Sequence, residues 1–345
     1  MKPDPFDPTT APEVHMRARY AFDCQMEAEL DPDTPVYPYD AWLKFIRQTS
    51  PFQDNHRWVA WDEDRRDIVG AGFIGLGRTD ENRHLANFDI HVLPARRREG
   101  LGTALLREIV DVAEADERTV LGSGTVQHHE AEKFLAAMTM TQKMLDRRSR
   151  CYINKVPQEL LDDWIANGEA KASAAGYSLL FFPSPIPDGY REGFLDVLRT
   201  MNDAPRDDLD MEDWVMTEER LADRERRQAA SGDLEWLMVV RHDETGEFVS
   251  FTGLEWHPSV PQLLWQGGTA VKPAHRGHAI GRWIKASMMQ KVRTEQSEAE
   301  FIDTWNAGSN KWMLAINDDL GFSPYLWYTD WQAPLADIKA AAAAK

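Results

Sequence analysis

The sequence predicts an α+β protein built as two similar domains in tandem, and three observations carry that prediction. First, a strand end, a basic glycine-containing turn and an amphipathic helix occur twice, as His91 to Leu106 (HVLPARRREGLGTALL) and as Ala270 to Lys285 (AVKPAHRGHAIGRWIK). The copies share Val92/Val271, Pro94/Pro273, Ala95/Ala274, Arg97/Arg276 and Gly102/Gly281. Second, each copy follows an apolar run, a charged turn and another apolar run, which is a hairpin signature. These are Trp58 to Trp61, Asp62 to Asp67 and Ile68 to Ile74, then Leu234 to Val240, Arg241 to Glu247 and Phe248 to Thr252. Third, 345 residues suffice for two domains with sizeable cores. A repeat this long marks paired domains rather than a solenoid. The division falls at 1–156 and 157–345.

Taken in order, residues 1–12 are rich in proline and read as a loose start. Val14 to Leu30 is a helix, Asp31 to Tyr39 a loop, and Tyr39 to Thr49 a short helix with Trp42 and Phe45. The first hairpin follows, then a strand near Asn87 to Val92. The helix after the first turn repeats its apolar face at Leu101, Leu105, Ile109 and Val112. Thr119 to Thr125 is a strand, Glu130 to Ala137 a helix, and Cys151 to Val156 a strand that closes the first sheet. In the second half Glu159 to Ala174, Tyr190 to Asn202 and Thr217 to Ala230 are helices, and Tyr177 to Phe182 is a strand. The charge of Thr217 to Ala230 reads as a solvated face. The helix after the second turn packs through Ile280, Ile284, Met288 and Val292, with Trp283 beside them. Leu326 to Gln332 is the last strand, and Ala333 to Lys345 an alanine-rich tail, helical or frayed.

Each turn puts small residues where a backbone must come close to a ligand, at the opening of a helix whose free N–H groups and dipole favour an anion. That is the chemistry of a pyrophosphate cradle, and an ordinary strand-to-helix turn is the plainer alternative. The pattern Arg-x-x-Gly/Ala-x-Gly after a strand resembles the acyl-CoA-binding motif of the GCN5-related N-acetyltransferases (GNAT). The second copy continues with Thr304 to Asn310 and Met313 to Phe322, ending Leu320-Gly321-Phe322. This resembles the family's second motif, which lines the pantetheine arm. The counterpart Phe134 to Met140 lacks the Gly-Phe pair.

The resemblance spans nearly the whole chain, as a tandem of the mycothiol synthase type. It implies two domains, each a mixed, mainly antiparallel twisted sheet flanked by helices. The first would be degenerate and the second catalytic, at residues ~170–335. It implies that acetyl-CoA or another acyl-CoA is held by Val271, Arg276, Gly277, His278, Ala279, Ile280, Gly281, Arg282, Asn306 and Asn310. In the first copy the corresponding residues are Val92, Arg97, Arg98, Gly100, Leu101, Gly102 and Thr103. The reaction implied is acyl transfer to a primary amine by direct attack. The alternatives are a CoA-binding protein without turnover, and a longer-chain acyltransferase of a natural-product or antibiotic-resistance pathway.

Such a reaction needs a base for the amine, a donor for the oxyanion and a proton for the departing thiolate. The family's oxyanion donor falls on Thr269 to Val271. Glu255 is the base candidate, with His257 a loop residue beside it. Trp265 to Thr269 has no acid where many relatives carry one, so Gln266 stands as a residue orienting substrate or water. The family's tyrosine acid is replaced by Asn317, leaving the proton to solvent, Tyr325 or Tyr328. Asn306 bonds the pantetheine or caps the following helix; both are compatible. In the first copy His84, Asp89, His91, His128 and His129 stand near the turn. Adjacent strand residues point to opposite faces, so His128 and His129 do not pair on a metal, and none is expected.

Composition narrows the partners. Lys+Arg 39 against Asp+Glu 57 gives a net charge of −18, which argues against nonspecific nucleic-acid binding and suits a cationic acceptor or simply solubility. Two cysteines fit a reducing cytoplasm rather than a disulfide framework. The sequence shows no signal-peptide pattern and no apolar run of ~20 residues, so neither export nor a membrane span is expected. A monomer or homodimer is expected. Most of the 13 tryptophans read as core.

Overall fold

The computed structural model describes residues 2–345. Its elements run β1 (Asp4–Pro5), α1 (Glu13–Leu30), α2 (Tyr39–Ile46), β2 (Gln53–Trp61), β3 (Ile68–Gly77), β4 (Leu85–Val92), α3 (Leu101–Ala115), β5 (Val120–Val126), α4 (Ala131–Ala137) and β6 (Thr141–Tyr152). They continue with α5 (Gln158–Ala174), β7 (Tyr177–Pro183), α6 (Asp188–Leu198), α7 (Glu218–Ser231), β8 (Leu234–His242), β9 (Phe248–Trp256) and β10 (Leu263–Val271). The last elements are α8 (Ile280–Glu295), β11 (Phe301–Ala307), α9 (Lys311–Leu320), β12 (Ser323–Pro334) and α10 (Leu335–Ala343). No helix among the described residues is long and apolar enough to cross a membrane.

The chain forms two compact units, drawn differently from a division at 156/157. The first comprises Met1–Leu145, Asp207–Glu212 and Tyr328–Lys345; the second comprises Asp146–Arg206 and Asp213–Trp327. The first unit's sheet runs β1-β2-β3-β4-β5-β12, antiparallel except for the β4–β5 pair. Its closing strand is therefore the chain's last one, with Tyr328 opposite Val126 and Pro334 opposite Val120. Cys151 to Val156 does not close it. Cys151 instead pairs with Ile302 in the second unit, whose sheet runs β6-β11-β10-β9-β8-β7.

β6 is polar because its arginines are buried against a charge. Arg148 and Arg150 are each about 3 % exposed, and both donate to Asp303, which is fully buried, at 2.5–2.9 Å. A buried carboxylate is tolerated only when paired and hydrogen-bonded in this way. Such a strand carries no apolar alternation for sequence reasoning to find.

In the first unit Leu105, Leu106 and Ile109 of α3 pack on Ile74, Phe88 and Leu121 of the sheet. The alanine-rich tail joins this core as α10, through Leu335, Ile338 and Ala342, and Arg107 donates to the Ala342 carbonyl at 2.8 Å. The opposite face is covered by α1 and α2 through Met16, Phe22 and Ile46. In the second unit Ile280, Trp283, Ile284, Met288 and Val292 of α8 pack with α5 on one face, as their spacing predicts. Phe194 and Val197 of α6 cover the other face.

Candidate functional site

Both turns fold alike. A single 3₁₀ turn begins at Pro94 in one and at Pro273 in the other. Two residues in each then take left-handed backbone: Arg98 and Gly100 at φ +68° and +86°, Gly277 and Ala279 at φ +90° and +62°. The arginine of each copy reaches back to its own strand, Arg97 Nε to the Val92 carbonyl at 3.1 Å and Arg276 Nε to the Val271 carbonyl at 3.0 Å. The N-terminus of neither α3 nor α8 is capped by a side chain. First-turn amides have no acceptor within a helix, so both turns leave them for an anion.

Beside each turn the parallel strands part. β4 and β5 pair only as far as Asn87 and Gly122, then run on separately to Val92 and Val126. β10 and β11 pair as far as Gln266 and Thr304. Backbone amides beyond those points lose a strand partner and become available to a ligand oxygen.

The two openings differ in content. In the first unit the parted strands border a cavity of about 660 Å³. Val92, Arg97, Arg98, Gly100, Leu101, Gly102 and Thr103 all line it. Six cations (Arg96, Arg97, Arg98, Arg107, Lys133 and Lys345) and two carboxylates (Asp89 and Glu130) stand among its lining residues. Within a chain of net charge −18 this is a local reversal of sign, suited to a polyanion. Arg97 is also anchored to Glu29 at 2.6 Å, and His129 meets the other oxygen of that carboxylate at 3.1 Å. Burial pushes Glu29 up, but the hydrogen bonds and charges of Arg97 and His129 outweigh it and hold the carboxyl below its ordinary value.

Three reactive groups meet in the same cavity. Asp89 and His91 are two apart on β4 and so share a face, the one opposite α3, since the alternate residue Phe88 packs with α3. Burial raises the Asp89 carboxyl, with the His91 charge opposing. Burial lowers His91, with Asp89 opposing. Tyr328 lines the cavity from β12, and burial, then the charges of Asp89 and Asp330, raises its hydroxyl so that it stays protonated.

In the second unit Gly268 stands where Asp89 stands in the first, three residues before the shared valine. A Cβ on it would come 3.1 Å from the Met201 sulfur and from the Phe251 ring. That space is packed.

The structure does not gather the second-unit candidates. Gln266 is held in a buried network, its Oε1 accepting from Lys285 at 2.7 Å and its Nε2 donating to Thr252 at 2.7 Å. Glu255 faces α7, near Arg224 and Gln228, and burial raises its carboxyl. Asn317 is fully buried and donates to Asn306 at 2.8 Å. Asn310, not Asn306, caps α9, accepting from the Met313 amide. Arg282 pairs with Asp319 and His278 stands against Tyr177. Ile280 is buried, so only its backbone could meet a ligand. Tyr325 lies against Arg148 and Arg150, whereas Tyr328 belongs to the first cavity. Asp89 is the group that sequence reasoning weighed only as a metal ligand. Its signal was its place: a carboxylate on the strand running into the better-preserved glycine turn.

Parted parallel strands, uncapped amides and a cationic mouth together make a site for a polyanionic ligand. Comparison with known proteins agrees. The model of the acetyltransferase (GNAT) family matches residues 19–138, about a third of the chain and the first copy of the repeat. The whole chain has the tandem GNAT fold. It is similar to a tandem GNAT protein from the clavulanic acid biosynthesis pathway, with TM-score 0.78 and 23% identity over 97% of this chain and 98% of that one. It is also similar to a GCN5-related N-acetyltransferase from Sphaerobacter thermophilus, with TM-score 0.64 and 13% identity over 96% and 95% of the two chains. No curated protein matches at a significant level.

If the first turn carries the phosphates, its left-handed glycine is the sensitive point. A Cβ at Gly100 meets nothing within 4 Å, so the cost of a side chain there is backbone strain of about 1–2 kcal/mol plus obstruction of the ligand. Gly100→Val is expected to weaken acetyl-CoA binding at least about tenfold by calorimetry. Ala279→Val, its counterpart, is expected to leave the dissociation constant within about twofold.

Proposed function

We propose that the protein transfers an acetyl group from acetyl-CoA to a small primary amine, and that transfer runs in the cleft of the first unit. The observation that carries this is a cation-lined cavity joining a left-handed glycine turn to Asp89, His91 and Tyr328. The expectation of a reactive second domain loses support from the packing of Met201 and Phe251 on Gly268. The second unit then serves as scaffold.

The bound thioester supplies an activated carbonyl carbon. The other tasks fall to this chain. Arg97, Arg98 and the first-turn amides of α3 hold the diphosphate. Asp89 takes the proton that an ammonium must lose before its nitrogen can attack. Amides of β4 beyond Asn87 stand where an oxyanion needs donors. Tyr328 gives its proton to the departing sulfur as the carbon–sulfur bond breaks, and regains one from the nitrogen, which sheds its second proton as the amide forms.

Thiol release from acetyl-CoA, read across a panel of primary amines, tests the proposal. Amine-dependent release that Gly100→Val suppresses supports it. Binding of acetyl-CoA without release on any amine would overturn it.

A further inference from the structure

A second, smaller cavity in the first unit, of about 170 Å³, adjoins the first. The two share Phe88, Asp89, Ser123, Gly124 and Tyr328, so they meet at the proposed proton-transfer groups. Away from that junction the smaller one is walled by Asp330, Trp331, Gln332 and Leu209. Its only charged lining residues are the carboxylates Asp89 and Asp330; no Lys, Arg or His lines it. We infer that this cavity is the acceptor pocket, and that it selects a small amine carrying a second positive charge and no carboxylate. The inference rests on the reading that transfer runs in the first cleft.

A short segment out of sequence order supplies one wall of this pocket. Residues 207–212, DDLDME, lie between stretches of the second unit in the chain but belong to the first in space. They are pinned there at several points. The Asp210 amide donates to Gln332 Oε1 at 2.7 Å, and Gln332 Nε2 returns a bond to the Asp210 carbonyl at 3.4 Å. The Glu212 amide donates to Asn82 Oδ1 at 2.7 Å, and the Asn82 amide donates to the Glu212 carboxylate at 2.6 Å. The Asp208 amide donates to the Lys143 carbonyl at 3.2 Å, and His84 meets the Asp210 carboxylate at 3.2 Å. These bonds set Leu209 as a wall of the pocket, with four carboxylates within six residues about it.

Charge and size then decide the ligand. A pocket far below the roughly 300–1,000 Å³ of drug-sized sites admits only a small acceptor. Two carboxylates and no cation attract a positive group and repel an anionic one. With its reacting nitrogen at Asp89, a short diamine sets its second ammonium toward Asp330. An amino acid would bring a carboxylate against the same wall.

The probes are 1,4-diaminobutane and butylamine, on the full chain and on Asp330→Asn and Leu209→Arg. With acetyl-CoA, Asp330→Asn is expected to raise KM for the diamine about tenfold and to move KM for butylamine by less than about twofold. Without acetyl-CoA, the diamine is expected to raise Tm of the wild type by about 2 °C and to raise neither variant's. Leu209→Arg, which puts a guanidinium where the second ammonium sits, is expected to bind acetyl-CoA within about threefold of wild type. Diamine kinetics and thermal shift unchanged in both variants would overturn the inference while leaving acyl transfer intact. Absence of a diamine shift in the wild type would also overturn it. Failure of acetyl-CoA to bind would instead strike the functional reading, with the diamine shift still read independently.

Discussion

Asp89→Asn is expected to lower kcat/KM for the amine by about 10²–10⁴ while leaving the acetyl-CoA dissociation constant within about threefold. Asparagine keeps the shape of the carboxylate and removes its basicity. Burial already pushes the Asp89 carboxyl up, with His91 opposing, which brings it toward the range where a carboxylate both ionises and accepts a proton usefully. The base acts when ionised, so wild-type activity rises with pH through the Asp89 pKa, and the Asn variant loses that limb. His91 shares the cavity but burial keeps it neutral, so His91→Gln is expected to shift the acid limb by changing Asp89's environment. Tyr328→Phe is expected to cost less with a thiol of low pKa as leaving group, because such a group needs no proton. Full activity in Asp89→Asn, with an unchanged pH profile, would remove Asp89 from the mechanism.

Much of the architecture was legible because it follows period and repetition. The face of α8, the paired hairpins and the two turns all come from spacing, and the structure reproduces them. What sequence reasoning missed has a common cause: it depends on partners far along the chain. β6 is charged because Asp303 waits for its arginines in another strand. The strand that closes the first sheet comes from the chain's far end, and local pattern carries no information about which sheet a strand joins. Residues 207–212 carry no periodic apolar pattern, and only hydrogen bonds to Asn82 and Gln332 reveal where they lie. The candidate site was legible as a turn and illegible as a cavity. Gly100, Arg97 and their neighbours line the opening, yet the sequence put chemistry beside the second turn, where the fuller second motif stands. Whether Met201 fills the place above Gly268 is a matter of packing across elements, which no spacing reports.

The second unit offers a prediction of a different kind. Lys285 sits on α8 in the middle of a core, about 2 % exposed, and donates to Gln266 at 2.7 Å. Burial lowers its pKa from 10.5 to about 7, with the nearby Cys151 opposing, and Cys151 itself is raised to about 12 by burial. Between about 7 and 10.5 the unfolded chain therefore holds a proton that the folded chain does not. Stability rises with pH across that window, by up to about 1.4 kcal/mol per pH unit, and is lost as pH falls toward 7. At pH 7 the buried amine costs the fold on the order of 4 kcal/mol. Lys285→Met removes that cost but leaves the Gln266 oxygen without its donor, at about 1–3 kcal/mol. The variant is thus expected to be more stable than wild type at pH 7 and less stable at pH 10.5, with the curves crossing between. The first unit supports the exchange, since its counterpart at this place is Leu106, fully buried in an apolar core. Denaturant unfolding of both proteins at three pH values, followed by tryptophan fluorescence, reads the crossing. A difference that stays constant with pH would mean that Lys285 keeps its proton in the folded core, and that Gln266 and Thr252 solvate the ammonium well enough to hold it there.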